Sequence, residues 1–119
     1  MCAVITALPG GHVAVALSGE IDIVAVPEVR RALADATSRA TAGVIADLGE
    51  VSFLDAAGLG VLAGAAHRTR HLPGGLRLVA VPRHAVRLLK LTGLDHHLAV
   101  FGSPPDRQRL PDQVGVAAR

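Results

Sequence analysis

Aromatic side chains are nearly missing from this sequence, which has two Phe and neither Trp nor Tyr among its 119 residues. A reader of single-stranded nucleic acid would have nothing on which to stack bases. Cysteine is almost absent too. Cys2 stands alone, so no internal disulfide can form, and a free thiol fits a reducing compartment. No apolar run approaches the ~20 residues that span a bilayer. Pro9-Gly10-Gly11 interrupts the N-terminus before a signal-peptide core could form. These absences predict a cytoplasmic protein with no membrane insertion. Nor is one sign of charge in excess. Twelve Lys and Arg stand against 10 Asp and Glu, interspersed, so no broad surface for direct nucleic-acid contact is written here. Catalytic text is missing as well: no G-x-x-x-x-G-K-[ST], no G-x-G-x-x-G after a strand, and no Ser or Cys nucleophile with a placed base. An enzyme, or a bound cofactor, has no residues to carry it.

What is present is enough for one domain with a real core, because half of the residues are hydrophobic and Ala, Val and Leu dominate them. Small aliphatic side chains favour thin, close layers of helix on sheet. Val4–Leu8 and the alternating His12–Ser18 flank a Gly-Gly turn, which predicts an antiparallel hairpin. Gly19-Glu20-Ile21-Asp22 reads as a loop with two acids. Pro27 suits the first turn of a helix whose apolar stripe is Val26, Val29, Leu33, Ala36 and Ala40. Val44–Leu48 is nearly continuous apolar text, as in a strand buried on both faces. A second helix is expected from about Ala57 to His71, a strand over Leu76–Val81, a third helix opening at Pro82, and a last strand over Leu98–Phe101. A hairpin followed by β-α-β units predicts an α/β domain: a mixed four- to five-stranded sheet with helices packed on one side. The domain is expected over residues 1–102, with 103–119 as a flexible, Pro-containing tail.

The most specific text runs from Val44 to Leu62 through Asp55-Ala56-Ala57-Gly58-Leu59-Gly60. Asp55 is placed to cap free N–H groups at a helix start. The first turn is almost bare of side chains. Gly58 and Gly60 each cost roughly 1 kcal/mol relative to Ala in a helix, so close approach of a neighbouring strand or of another protein is expected there. His67 and His71 have ligand spacing, yet no further ligand is positioned to complete a metal site. Arg83, Arg87 and Lys90 read as a solvated basic stripe.

Leu17-Ser18-Gly19-Glu20-Ile21-Asp22 together with Asp47-Leu48 and Val51 to Gly60 resembles the STAS family, and within it the bacterial anti-sigma factor antagonists. The resemblance runs from about residue 4 to residue 101. It implies a single STAS-like domain that binds an anti-sigma factor, itself a serine kinase of ATPase fold, and so releases a sigma factor. The contact residues it implies are Glu20, Asp22, Asp55, Ala56, Ala57, Gly58, Leu59, Gly60 and Leu62. Family antagonists carry a phosphorylatable Ser or Thr directly after the residue that matches Asp55. Here that position is Ala56, which has no hydroxyl. A binder without the switch, a different control, and an engineered alanine all fit, and Ser52 is a nearby hydroxyl. The resemblance also admits a second reading, an accessory subunit of a membrane transporter such as a lipid-trafficking ABC system. A weak homodimer stays open.

Overall fold

The computed structural model describes residues 1–93 and 98–101. The expected tail lies outside the described residues. The elements are β1 (Cys2–Ala7), β2 (His12–Ile21), α1 (Val26–Arg39), β3 (Gly43–Leu54), α2 (Ala56–Arg68), β4 (Leu76–Val79), α3 (Arg83–Thr92) and β5 (Ala99–Phe101). One turn of 3-10 helix, Pro9–Gly11, joins the hairpin strands.

The sheet order is β1-β2-β3-β4-β5, with β1 antiparallel to β2 and every later neighbour parallel. Each crossover therefore steps the same way across the sheet. Right-handed crossovers then place α1, α2 and α3 on the same face. One apolar cluster confirms the layering. It joins Val13, Val15 and Leu17 of β2, Val44, Ala46 and Leu48 of β3, and Leu76 and Leu78 of β4. Val29 and Leu33 of α1, Leu59 and Leu62 of α2, and Ala85 and Leu89 of α3 complete it. The expected mixed α/β sheet with helices on one side is what forms. β3 is buried from Gly43 through Leu48, on both of its faces.

Several boundaries differ from the expectation, among them β1, which is Cys2–Ala7, and β4, which ends at Val79 rather than Val81; three have a local reason. β2 does not stop at Ser18 but continues through Gly19 and Glu20 to Ile21. Gly19 takes φ +87°, a region open to glycine, and the register with β3 shifts on either side of it. β3 likewise runs unbroken through Gly49-Glu50, where the Asp47 carboxylate accepts from the Gly49 N–H at 2.9 Å. α2 ends at Arg68 rather than His71: Thr69 leaves the helical backbone region (φ −94°, ψ 6°), and the N–H groups of Arg70 and Leu72 turn back three residues, onto the His67 and Thr69 carbonyls at 3.3 and 2.9 Å.

Candidate functional site at the carboxyl edge of the sheet

The carboxyl ends of parallel strands share one edge, and in open α/β sheets that edge is where ligands and partners are met. Here β2 and β3 finish side by side. Glu20 pairs with Phe53 and Ile21 with Leu54, and the Asp55 N–H then reaches the Ile21 carbonyl at 3.4 Å. The two stretches that stood out in the sequence thus become neighbours, although more than thirty residues separate Asp22 from Asp55.

Asp55 is the N-cap of α2. Its backbone is extended (φ −103°, ψ −173°), and Oδ1 accepts from the Gly58 N–H at 3.1 Å. Ala56 and Gly60 are exposed on the helix start, and Ala57 is half-buried. Asp22 closes the neighbouring loop. Its Oδ1 accepts from the N–H groups of Val24 at 3.1 Å and Ala25 at 3.2 Å. Glu20 is exposed beside Phe53.

The two glycines, equivalent in the sequence, have different surroundings. A Cβ on Gly58 would lie 2.5 Å from Leu54 Cδ1 and 2.9 Å from both Ile21 Cγ2 and the Ile21 carbonyl oxygen. Gly58 is therefore the contact that lets α2 lie on the ends of β2 and β3. A Cβ on Gly60 would meet nothing within 4 Å.

Three of the residues expected to touch a partner do not reach the surface. Leu59 and Leu62 are fully buried and belong to the core cluster, and Gly58 is buried against Ile21. The reason is helical geometry. With Asp55 as cap, Gly58, Leu59 and Leu62 fall on the stripe that faces the sheet. Glu20, Asp22, Asp55, Ala56, Ala57 and Gly60 keep some or full exposure.

The edge also holds residues the sequence reading passed over. Ile23 and Val24 are 69% and 82% exposed, on the loop that Asp22 closes. An Ile-Val pair just before Pro27 looks like the start of a core stripe. The signal against that was the preceding Asp22, a residue that makes turns by binding N–H groups two and three positions on. Phe53 is 45% exposed and stacks on His84 of α3 at 6.1 Å between ring centroids. His84 Nε2 accepts from the Leu54 N–H at 3.2 Å. That bond spans thirty residues, and nothing in the sequence pairs the two.

Among the described residues, no group of three or more His, Cys, Asp or Glu side chains could hold a metal ion. No described helix is long and apolar enough to cross a membrane. What the edge offers is a surface: a bare helix start, a pinned loop with two apolar tips, and a supported Phe.

Residues 3–106 match the model of the STAS domain. The chain belongs to the STAS domain family. An anti-sigma-B factor antagonist of Listeria monocytogenes is 35% identical over 83 residues, which make up 70% of this STAS chain and 73% of that protein. The crystal structure of an anti-sigma factor antagonist from Mycobacterium paratuberculosis is similar at TM-score 0.78 and 26% identity, covering 94% of each chain. The anti-sigma factor antagonist SpoIIAA in its unphosphorylated form gives TM-score 0.70 at 18% identity, over 97% of this chain and 99% of that one. The last is a likeness of fold alone. The Listeria relative and the Mycobacterium structure are thus both anti-sigma factor antagonists.

Proposed function

We propose that this chain is an anti-sigma factor antagonist: it binds an anti-sigma factor at the carboxyl edge of its sheet and so frees a sigma factor. The observation that carries the reading is the convergence of the Asp22 loop and the Asp55-capped start of α2 at one exposed edge, in a STAS domain 35% identical to such an antagonist. The protein acts by binding, with no chemistry of its own. Its partner is an anti-sigma factor of the ATPase-fold serine-kinase type.

Ala56 occupies the first helical position after the cap and is exposed, where a kinase could reach a hydroxyl. A phosphate there would add a charge of about −1.5 to −2 close to Asp22 and Asp55, and so weaken a partner complex by repulsion. Alanine leaves the surface permanently in its unmodified form. Docking by this protein is then set by its amount rather than by phosphorylation at this position.

The test is a binding assay of the purified chain against each purified anti-sigma factor encoded in the same genome, followed by transcription in vitro with the matching sigma factor. One anti-sigma factor should bind, transcription should rise on adding the chain, and Asp55→Lys should abolish both. If none binds, the function is wrong. In a kinase assay with that partner, Ala56→Ser should be labelled and the parent chain should not. No described feature favours the transporter-subunit alternative over this one.

A further inference from the structure

We propose that the outer edge of β1 pairs antiparallel with β1 of a second copy of this chain. The two sheets join across a two-fold axis at Ile5, and the two α1 helices close over the join. The inference goes beyond the functional reading above and does not rest on it.

Four observations carry it. First, β1 ends the sheet, and among the described residues no strand pairs with its outer side. Edge strands are ordinarily kept from pairing by charge, proline, bulges or shortness. β1 has none of these: its six residues are uncharged, and its register with β2 runs without a shift. The opposite edge, β5, has only three residues. Second, the ladder fixes which backbone groups face outward. The Leu8 N–H donates to the His12 carbonyl at 2.8 Å, and in an antiparallel pair such bonded positions alternate with unbonded ones. In this register Cys2, Val4 and Thr6 are turned to β2, while Ala3, Ile5 and Ala7 turn N–H and C=O outward. Those three are spaced evenly about Ile5. A two-fold axis there sets Ile5 against Ile5 and Ala3 against Ala7, and every outward N–H meets an outward C=O. Third, the edge has an apolar groove beside it. Ala3 and Ile5 are half-buried on the helix side and floor that groove with Ala32 of α1, under a rim of Glu28, Arg31 and Asp35. Closing two such grooves on each other buries a floor that one copy leaves half wet. Fourth, the rim is self-complementary in charge. α1 links the parallel strands β2 and β3, so it runs in the same direction as β1, and the two-fold axis sets the two α1 helices antiparallel. Arg31 and Asp35 are one turn apart, so Arg31 of each copy can meet Asp35 of the other. None of these residues belongs to the Asp22 and Asp55 edge.

The experiment is sedimentation velocity of the full chain from about 5 µM to about 500 µM, with amide exchange followed by NMR at both ends of that range. One strand pair and a shallow groove make a modest interface, so the dimer should form with a Kd of about 10–100 µM. Raising the concentration should then slow exchange of the Ile5 N–H about threefold or more. The Thr6 N–H, already bonded to β2, should change less. Ala7→Pro removes an outward N–H that β2 does not use, and should weaken the dimer about tenfold or more. Arg31→Asp sets like charges across the join and should weaken it about threefold or more. Adding Asp35→Arg to that variant should restore the dimer, because the pair is then only exchanged. Arg31 is exposed, so the unfolding midpoint of Arg31→Asp at about 5 µM should match the parent's, which separates lost pairing from lost fold and keeps the test open if Ala7→Pro folds poorly. The proposal is overturned if the chain stays monomeric at about 500 µM, or if it dimerises while Ile5 exchange is independent of concentration. It is equally overturned if Ala7→Pro, folded, or Arg31→Asp dimerises as tightly as the parent. None of these results touches the antagonist reading, which stands or falls on the binding assay above.

Discussion

Gly58→Ala tests whether the α2 start is held by close packing or is merely small. Alanine is the better helix former, by about 0.8–1 kcal/mol. Against that gain, the added methyl would stand 2.5 Å from Leu54 Cδ1 and 2.9 Å from the Ile21 carbonyl oxygen. A leucine methyl can rotate away. The carbonyl cannot do so cheaply, because it belongs to the end of β2 and accepts from the Asp55 N–H. Overpacking of this kind costs about 1–3 kcal/mol. Packing should win, leaving a net loss of up to about 2 kcal/mol. At about 4–8 °C per kcal/mol for a domain of this size, the melting temperature should fall by several degrees. Gly60→Ala is the internal control, two residues along the same helix with open space around it. It should gain about 0.5–1 kcal/mol. Urea unfolding of both variants reads the difference. If Gly58→Ala stabilises as much as Gly60→Ala, the packing argument fails, and with it the claim that Gly58 seats α2 on Ile21.

Asp55→Ala should cost about 1 kcal/mol of stability through the lost cap, and Asp55→Asn much less, by urea unfolding. Ala56→Asp should move stability and binding in opposite directions. A negative charge in the first turn of α2 adds about 0.3–1 kcal/mol with the helix dipole, while titration against the anti-sigma factor should show weaker affinity, as a phosphate would cause. His84→Ala removes the acceptor for the N–H of buried Leu54 and the ring behind Phe53. It should cost about 0.5–1.5 kcal/mol and speed amide exchange at Leu54. Asp35→Asn breaks the exposed Asp35–Arg39 pair (3.1 Å) and should change stability by less than about 0.5 kcal/mol.

The layered fold was legible because its elements announce themselves locally. The hairpin has its Gly-Gly turn, α1 its apolar stripe and Pro27, and α3 ends at Gly93 in a left-handed conformation (φ +77°). The Asp55 cap was legible for the same reason. What could not be read depends on pairing between distant segments. Glu20 is a strand residue only because Phe53 lies beside it, and Gly19 reaches that pairing through a register shift. The fates of Gly58 and Gly60 are identical on paper. They are decided by where Ile21 lies, and Ile21 comes from another strand. The same limit explains the burial of Leu59 and Leu62, which motif resemblance grouped with the surface residues around them. Motifs mark a region, and helix geometry then sorts its residues into those facing in and those facing out.

That sorting changes what the small residues of the α2 start mean. Gly58 needs no partner to account for it, since the fold itself uses the missing side chain. Gly60 has no such account. It sits within the helix, exposed, with nothing among the described residues close enough to require glycine there. Its destabilisation of the helix, about 0.5–1 kcal/mol, is offset by no contact among the described residues. A partner whose backbone must come close to α2 would supply the missing reason, and it would approach from the side where Ala56 is also exposed. The stabilising substitution Gly60→Ala and the binding surface are then in conflict. A variant that unfolds later and docks more weakly would be the mark of a residue kept for the interface and not for the fold.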